Sequence, residues 1–463
     1  MKKEEIYFFK KKIFKKIRPN NLNNKFYKVL FSKISDLIID EKDLTKAYSQ
    51  EIALNINLDN YISFVNNKID RLLEQFKKEK ISIVFISEKV YFNQIKINNF
   101  FKSKSINAAS IGINKKNLHH KNFKINLSLS LFEIIVLLSK LRNLKIFSQG
   151  WLFRYHLNYL IDFYKGSNTH ILDVMDINSF LFPNYKKKKI LALMKIVWGQ
   201  DVKLNHELQL FSEKHLFKNS DKVLFPGSIN HVEDLKLDTK KKFVKYFEFG
   251  SYPQKKYFAK PVIKKKYVVK KINFVFAGGI VPIDNRRVKE FFADAQFVST
   301  TKIILSQGYK LTVFNNPLLT DDKNYEKLYK PHYKLMKQHK NYYKFCKGYV
   351  GKKVTKKIAN YDLGLLIYDF NNTTLFGENH FKNMIPTKFF LYMEACLPVL
   401  VSSRWVYLSK IVKYYKLGYV VDDKNIYYLK NIIRKLDIKQ LKKNVLNYRN
   451  IFKNYSQYNF LLR

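Results

Sequence analysis

Short runs of β-branched and aromatic residues, each followed by a longer helical stretch, recur along most of this chain and limit what it can fold into. The first is Ile81-Ser-Ile-Val-Phe-Ile-Ser. Ala108-Ala-Ser-Ile-Gly-Ile, Leu144-Lys-Ile-Phe-Ser, His170-Ile-Leu-Asp-Val-Met-Asp and Lys222-Val-Leu-Phe follow. Runs of this length and composition suit strands buried on both faces. Helical stretches separate them, including residues 131–142 and 207–217. Such alternation needs right-handed crossovers, and therefore a mostly parallel sheet between helical layers. The pattern pauses over residues 253–271, a polar Lys-rich stretch containing Pro261 that reads as a connector, and then restarts. Ile272-Asn-Phe-Val-Phe-Ala-Gly-Gly, Leu311-Thr-Val-Phe, Tyr342-Tyr-Lys-Phe-Cys, Asp362-Leu-Gly-Leu-Leu-Ile-Tyr, Leu397-Pro-Val-Leu-Val and Gly418-Tyr-Val-Val form the second series.

Two complete α/β domains are expected from these two series, over residues 81–262 and 263–435. Residues 1–80 lack the alternation and read as a helical extension, and residues 436–463 as a helical tail. In the extension, Ile6, Phe9, Ile13 and Ile17 recur at helical spacing among lysines. That stripe fits either an anionic membrane surface or the body of the protein. Two doubly wound domains bind ligands beyond the carboxyl ends of their strands, where the strand order reverses.

The chain is strongly basic, with a net charge of +49 over 463 residues. A charge of this sign attracts phosphate-rich partners. Its lysines are scattered, however, and Asn, Ile, Phe and Tyr are abundant with them, as biased codon usage would also produce. The dispersal and the lack of a recognised binding motif disfavour nucleic acid as a partner. The two cysteines, Cys346 and Cys396, have no close Cys or His at metal spacing. No disulfide framework, zinc site or other metal is therefore expected. The start, Met-Lys-Lys-Glu-Glu, carries no apolar signal core, and no apolar stretch is long enough to span a bilayer. A cytoplasmic protein, peripheral at the inner membrane face, is expected.

Two segments carry the chemistry. Gly278 and Gly279 end a strand and let backbone N–H groups approach an anion, although the pair also suits an ordinary tight turn. Arg286 and Arg287, just downstream, can clamp a diphosphate or point to solvent. In Ile385-Pro-Thr-Lys-Phe-Phe-Leu-Tyr-Met-Glu-Ala-Cys-Leu-Pro-Val-Leu-Val, Pro386 fits the first turn of a helix. Thr387 and Lys388 then add a hydroxyl and an ammonium to the positive end of that helix, a good place for a phosphate. Glu394 can accept hydrogen bonds from a ribose diol or remain a solvated helix charge. Asp173 and Asp176 end a strand of the first series. A carboxylate there can act as a general base, with Asp176 ahead because it lies further past the strand, or can serve as a helix cap. His119-His120 reads as solvent-facing.

The run 385–401 resembles the Pro-Thr-Lys-Leu-Phe-Glu-Tyr-Met-Ala-Ala-Gly-x-Pro-Val segment of GT-B fold glycosyltransferases, close to group 1 (family 4). Ile411-Val-Lys-Tyr-Tyr-Lys-Leu-Gly-Tyr-Val-Val, Asp173-Val-Met-Asp and Ser220-Asp-Lys-Val-Leu-Phe-Pro-Gly-Ser resemble other segments of the same group. The resemblance implies two Rossmann-like domains of the GT-B type, preceded here by the helical extension. It implies a nucleotide-diphosphate sugar in the C-terminal domain and an acceptor on the N-terminal one. Gly278, Gly279 and Lys388 would serve the diphosphate, with Arg286 or Arg287 as basic partner. The implied activity is hexosyl transfer to an acceptor hydroxyl in the synthesis of cell-surface glycan or a lipid-linked saccharide, with no cofactor beyond the donor substrate. Two glutamates common in the group are Asn383 and Leu391 here, and its usual glycine before Pro-Val is Cys396. Two other classes fit less of the sequence: a nucleotide-sugar epimerase on the same scaffold, and a non-catalytic basic protein that binds nucleic acid or membrane.

Overall fold

A computed structural model describes residues 58–87, 92–113, 123–151, 154–182, 188, 191–192, 202–230, 245–280, 297–316, 325–368, 377–422 and 425–463. The chain divides into two compact units. The first comprises residues 1–176, 204–224 and 240–247, and the second residues 177–203, 225–239 and 248–463.

The first unit is built on a seven-stranded sheet of order β3-β2-β1-β4-β5-β6-β7. Its strands are β1 (Ile81–Ser87), β2 (Asn107–Ile113), β3 (Ile125–Leu129), β4 (Lys145–Gly150), β5 (Thr169–Val174), β6 (Lys222–Phe225) and β7 (Tyr246–Glu248). Pairing is parallel from β3 through β6. Two of these strands lie outside the runs read from the sequence. β3 alternates apolar residues with Asn126 and Ser128, and β7 is three residues long. The helix Leu58–Lys78 belongs to this unit: Val65, Ile69, Leu72 and Phe76, at helical spacing, are buried in the same core as the helix Leu131–Lys140. Full burial of each such side chain contributes about 1.5–3 kcal/mol. The second helix starts sharply because Ser130 and Glu133 form a reciprocal capping box, at 3.1 and 2.8 Å. The amphipathic stripe of residues 6–17 and the pair His119-His120 lie outside the described residues.

Ser148 Oγ lies 2.7 Å from His170 Nε2, and His170 Nδ1 lies 2.8 Å from Asp162. All three side chains are buried within the sheet and its covering helix, so the chain of bonds ties β4 and β5 to the helix Tyr155–Tyr164. It is closed to a substrate.

The second unit holds a six-stranded parallel sheet of order β10-β9-β8-β11-β12-β13. Its strands are β8 (Asn273–Gly278), β9 (Lys310–Asn315), β10 (Tyr343–Lys347), β11 (Leu363–Leu366), β12 (Val399–Ser402) and β13 (Gly418–Val421). All six coincide with the runs of the second series, although β9 extends one residue beyond both ends of its run and β10 and β12 one residue beyond the far end of theirs. Residues 253–271, expected as a connector, are instead packed in part against this unit. Pro253, Gln254, Tyr257 and Ala259 are buried. The helix Ile438–Ile451 fastens the stretch. Arg449 donates to the carbonyls of Ala259 and Glu394 at 3.0 Å each, and Lys442 Nζ to those of Val262 and Tyr361 at 2.9 and 2.8 Å. Lys442 is only 1% exposed, and burial lowers its pKa to about 8.

Candidate diphosphate site at the strand reversal of the second unit

Strands β9 and β10 follow β8 to one side of the sheet, and β11, β12 and β13 lie on the other. The order therefore reverses between β8 and β11, which leaves a crevice at their carboxyl ends. The two strands pair only through Leu363–Phe274 and Gly364–Val275. Beyond that point the hydroxyl of Tyr392 takes over, accepting from the Ala277 N–H at 3.0 Å and donating to the Leu365 carbonyl at 3.1 Å. One buried side chain thus props the crevice open.

The helix Thr387–Glu394 begins beside this crevice. Pro386 occupies its N-cap position with φ −58 and ψ 135, one residue earlier than the first-turn position read from the sequence. Phe389, Phe390, Tyr392 and Met393 are buried and anchor the helix. Its start is fixed by Pro226-Gly227-Ser228. Gly227 pairs with Met384, the Ser228 N–H donates to the Asn383 carbonyl at 3.0 Å, and the Ile385 N–H to the Pro226 carbonyl at 2.8 Å. The approach is close enough that a Cβ on Gly227 would fall 1.9 Å from the Asn383 oxygen. The sequence marked Pro-Gly-Ser only through the resemblance; this contact is what it does.

Lys388 leaves the first turn and crosses Gly278 at the end of β8. A Cβ at position 278 would lie 1.8 Å from Lys388 Cε, so only glycine lets the stem pass. The ammonium donates to the Tyr368 hydroxyl at 2.8 Å and sits 5.2 and 5.0 Å from the ring centres of Phe276 and Tyr368. Gly278, Gly279 and Lys388 are all part-exposed, and Thr387 is exposed. The structure brings these four together at the reversal. The loop after Gly279 is held by groups the sequence did not single out. Asn315, fully buried at the end of β9, accepts from the Ile280 N–H at 2.8 Å, and the Tyr329 hydroxyl donates to the Ile280 carbonyl at 2.8 Å. Arg286 and Arg287 lie outside the described residues.

Glu394 is not among the residues gathered here. Six residues on from Lys388 along the helix it has turned about 240°, to the far side. There it is 0% exposed, and its carboxylate accepts from the Gln254 N–H at 3.0 Å. The ribose contact expected of it is replaced by an internal one. Cys396 has φ +56, the left-handed region that favours glycine. The backbone thus keeps the turn for which the resembling family uses glycine.

In the first unit, Asp173 and Asp176 differ. Asp173 is 2% exposed on β5, and the Asn93 amide donates to both of its oxygens at 2.9 Å. Burial pushes its carboxyl up to about 7, against the pull of the hydrogen bonds from Asn93 and Gln149. Asp176 lies two residues past β5 and is part-exposed. Burial raises it to about 6, with a hydrogen bond from Trp151 acting the other way. Its backbone carbonyl accepts from the Tyr155 hydroxyl at 2.5 Å, which fixes the turn. Among the described residues, no three His, Cys, Asp or Glu side chains converge as metal ligands.

No protein-family model matches the chain, and no curated protein does. Among solved structures it is similar to a sucrose-phosphate synthase from Thermosynechococcus elongatus, at 11% identity over 82% of this chain and 96% of that one, with a TM-score of 0.50. An α,α-trehalose-phosphate synthase (UDP-forming) from Burkholderia xenovorans is 10% identical over 82% of this chain and 99% of that one, with a TM-score of 0.48. At such identities the likeness is one of fold. With two parallel sheets, each reversing its strand order beside its first strand, and a first-matched structure of the same architecture, this chain has the GT-B fold.

Proposed function

We propose that this protein transfers a hexose-type sugar from a nucleotide-diphosphate donor to an acceptor hydroxyl. The observation that carries the reading is the placement of the Lys388 ammonium over Gly278, at the strand reversal and in the first turn of a helix. Three features that favour a phosphate meet there: a fixed cation, the positive helix end and backbone without side chains. Departure of the diphosphate is eased when its growing charge meets donors already in position. Lys388, the Thr387 hydroxyl and N–H groups at the helix start supply them, with Arg286 or Arg287 as the basic partner by motif. Asp176 is the base for the acceptor hydroxyl: a carboxyl near 6 is ionised at neutral pH yet more basic than a solvated one. The acceptor, in this reading, is a cell-surface glycan or lipid-linked saccharide met at the inner membrane face. The net charge of +49 supports an anionic surface or acceptor. No helix among the described residues is long and apolar enough to cross a membrane.

The test is a thermal-shift panel of UDP, GDP, CDP and dTDP at physiological salt, on the protein and on Lys388→Ala. One nucleotide should raise the midpoint, as any ligand confined to the folded state does, and the variant should lose that shift. Turnover with the matching sugar should fall at least about tenfold. A shift that survives the substitution, or none with any nucleotide, overturns the assignment.

A further inference from the structure

A second concave site lies at the opposite end of the same sheet. A cavity of about 290 Å³ opens at the amino ends of β8, β9 and β10, lined by Lys310, Lys340 and Lys344 together with Thr312, Tyr342 and Tyr361. β8 is six residues long, so about 17 Å of strand separates its two ends.

The strand register accounts for the crowding of charge. Lys344 pairs with Thr312, and Lys310 precedes Thr312 by two residues on β9. Residues two apart on a strand share a face, so Lys310 and Lys344 are diagonal neighbours on one side of the sheet. Diagonal neighbours are within mutual reach of long side chains, and like charges so placed repel. Lysine is also a poor strand former. Lys340 adds a third positive charge from the turn that precedes β10.

No carboxylate lines the cavity among the described residues, and none of the three lysines forms an ion pair there. Asp362, next to Tyr361, is already committed. It is fully buried, paired with Lys264 at 2.6 Å and accepting from the Asn273 N–H at 2.9 Å. The three lysines are all exposed and therefore accessible to a ligand. The walls add aromatic surface, with Tyr342 46% exposed, and the hydroxyls of Thr312 and Tyr361, which are hydrogen-bonded to each other. Rings that stack on a sugar face, hydroxyls that meet sugar hydroxyls and a triple positive charge together select a small phosphorylated carbohydrate. The cavity is at the low end of the size range for small-molecule sites, too small for a polymer to be enclosed.

We propose that this cavity binds a phosphorylated sugar at a site separate from the diphosphate site, whether or not the transferase reading holds. Titration calorimetry at physiological salt tests it with glucose 6-phosphate, glucose, phosphatidic acid vesicles and a single-stranded oligonucleotide as probes. The expected result is saturable binding of glucose 6-phosphate and none of glucose. Lys310→Glu/Lys344→Glu should weaken it at least tenfold, and Lys388→Ala should leave it unchanged. Lys310→Gln/Lys344→Gln, a milder change at the same exposed positions, should weaken it in the same direction, with unaltered circular dichroism confirming the fold of both. Four outcomes overturn the proposal: no binding of the sugar phosphate, equal binding to the variants, loss through Lys388→Ala instead, or binding confined to vesicles or oligonucleotide.

Discussion

In the proposed diphosphate site, Gly278→Ala should damage ligand binding while barely touching the fold. The added methyl would lie 1.8 Å from Lys388 Cε and 3.0 Å from its Nζ. The colliding group is the end of a flexible side chain, so the lysine swings away and backbone stability changes by less than about 1 kcal/mol. What is lost is the placement of the ammonium. A charge-assisted bond such as the one to Tyr368, half-exposed here, contributes about 1.5 kcal/mol, and each ring contact about 0.5 kcal/mol. Together they hold the cation with about 2.5 kcal/mol, which corresponds to a loss of up to about sixtyfold in nucleotide-diphosphate affinity. The assay is titration calorimetry across a double-mutant cycle. Gly278→Ala should cost that factor in the native background and almost nothing in Lys388→Ala, because the two act through one group. Equal costs in both backgrounds would refute the idea that Gly278 serves Lys388.

Gly227→Ala makes the contrasting case, since its Cβ would meet a carbonyl oxygen at 1.9 Å and backbone cannot swing aside. It should cost about 2–3 kcal/mol, read as a lower urea midpoint, and speed hydrogen exchange at the Ile385 amide. In the proposed transferase, Asp176 must be ionised, so kcat/KM should fall as pH drops through about 6. Asp176→Asn should abolish that limb and cost about a hundredfold or more. Asp173 is raised in the folded state from 3.8 to about 7, so the fold binds its proton more tightly than the unfolded chain does. Stability from this group is complete below pH 3.8 and is lost as pH rises to about 7, by about 4 kcal/mol. Asp173→Asn should flatten that slope in urea titrations between these pH values, and an unchanged slope would count against the buried carboxyl as its source.

The inner strands of the second unit were legible because burial on both faces makes each an unbroken apolar run, as in Phe274-Val-Phe and Val399-Leu-Val, whereas β9 and β10 carry Lys310, Thr312 and Lys344 on one face and showed through their aromatic and β-branched residues. β3 was not, because its alternation with Asn126 and Ser128 carries half that signal and runs straight into the capped helix. The clustering of Gly278 with Lys388 was foreseeable in part, since both follow from rules about strand ends and helix starts. Asn315 and Tyr329 were invisible: an asparagine closing a strand and a tyrosine in a helical stretch gain their roles only when the Ile280 loop arrives beside them. Glu394 shows the opposite error. Its helical phase relative to Lys388 was available from the spacing alone and already set it on the other face. The connector over residues 253–271 was misread because most of its lysines face out while Gln254 and Tyr257 face in and Lys264 pairs with buried Asp362, and composition averages the two.

The pairing of Gly227 with Met384 has a kinetic consequence. Roughly 150 residues of intervening chain must be closed into a loop before this contact exists, and such closure comes late in folding. The strands of the second sheet can assemble from segments much nearer in sequence. The start of the helix bearing Lys388 should therefore be the last part of that unit to set: a near-native intermediate would show protected β8 and β9 amides while Ile385 still exchanges, and the proposed nucleotide site would form only in the final phase.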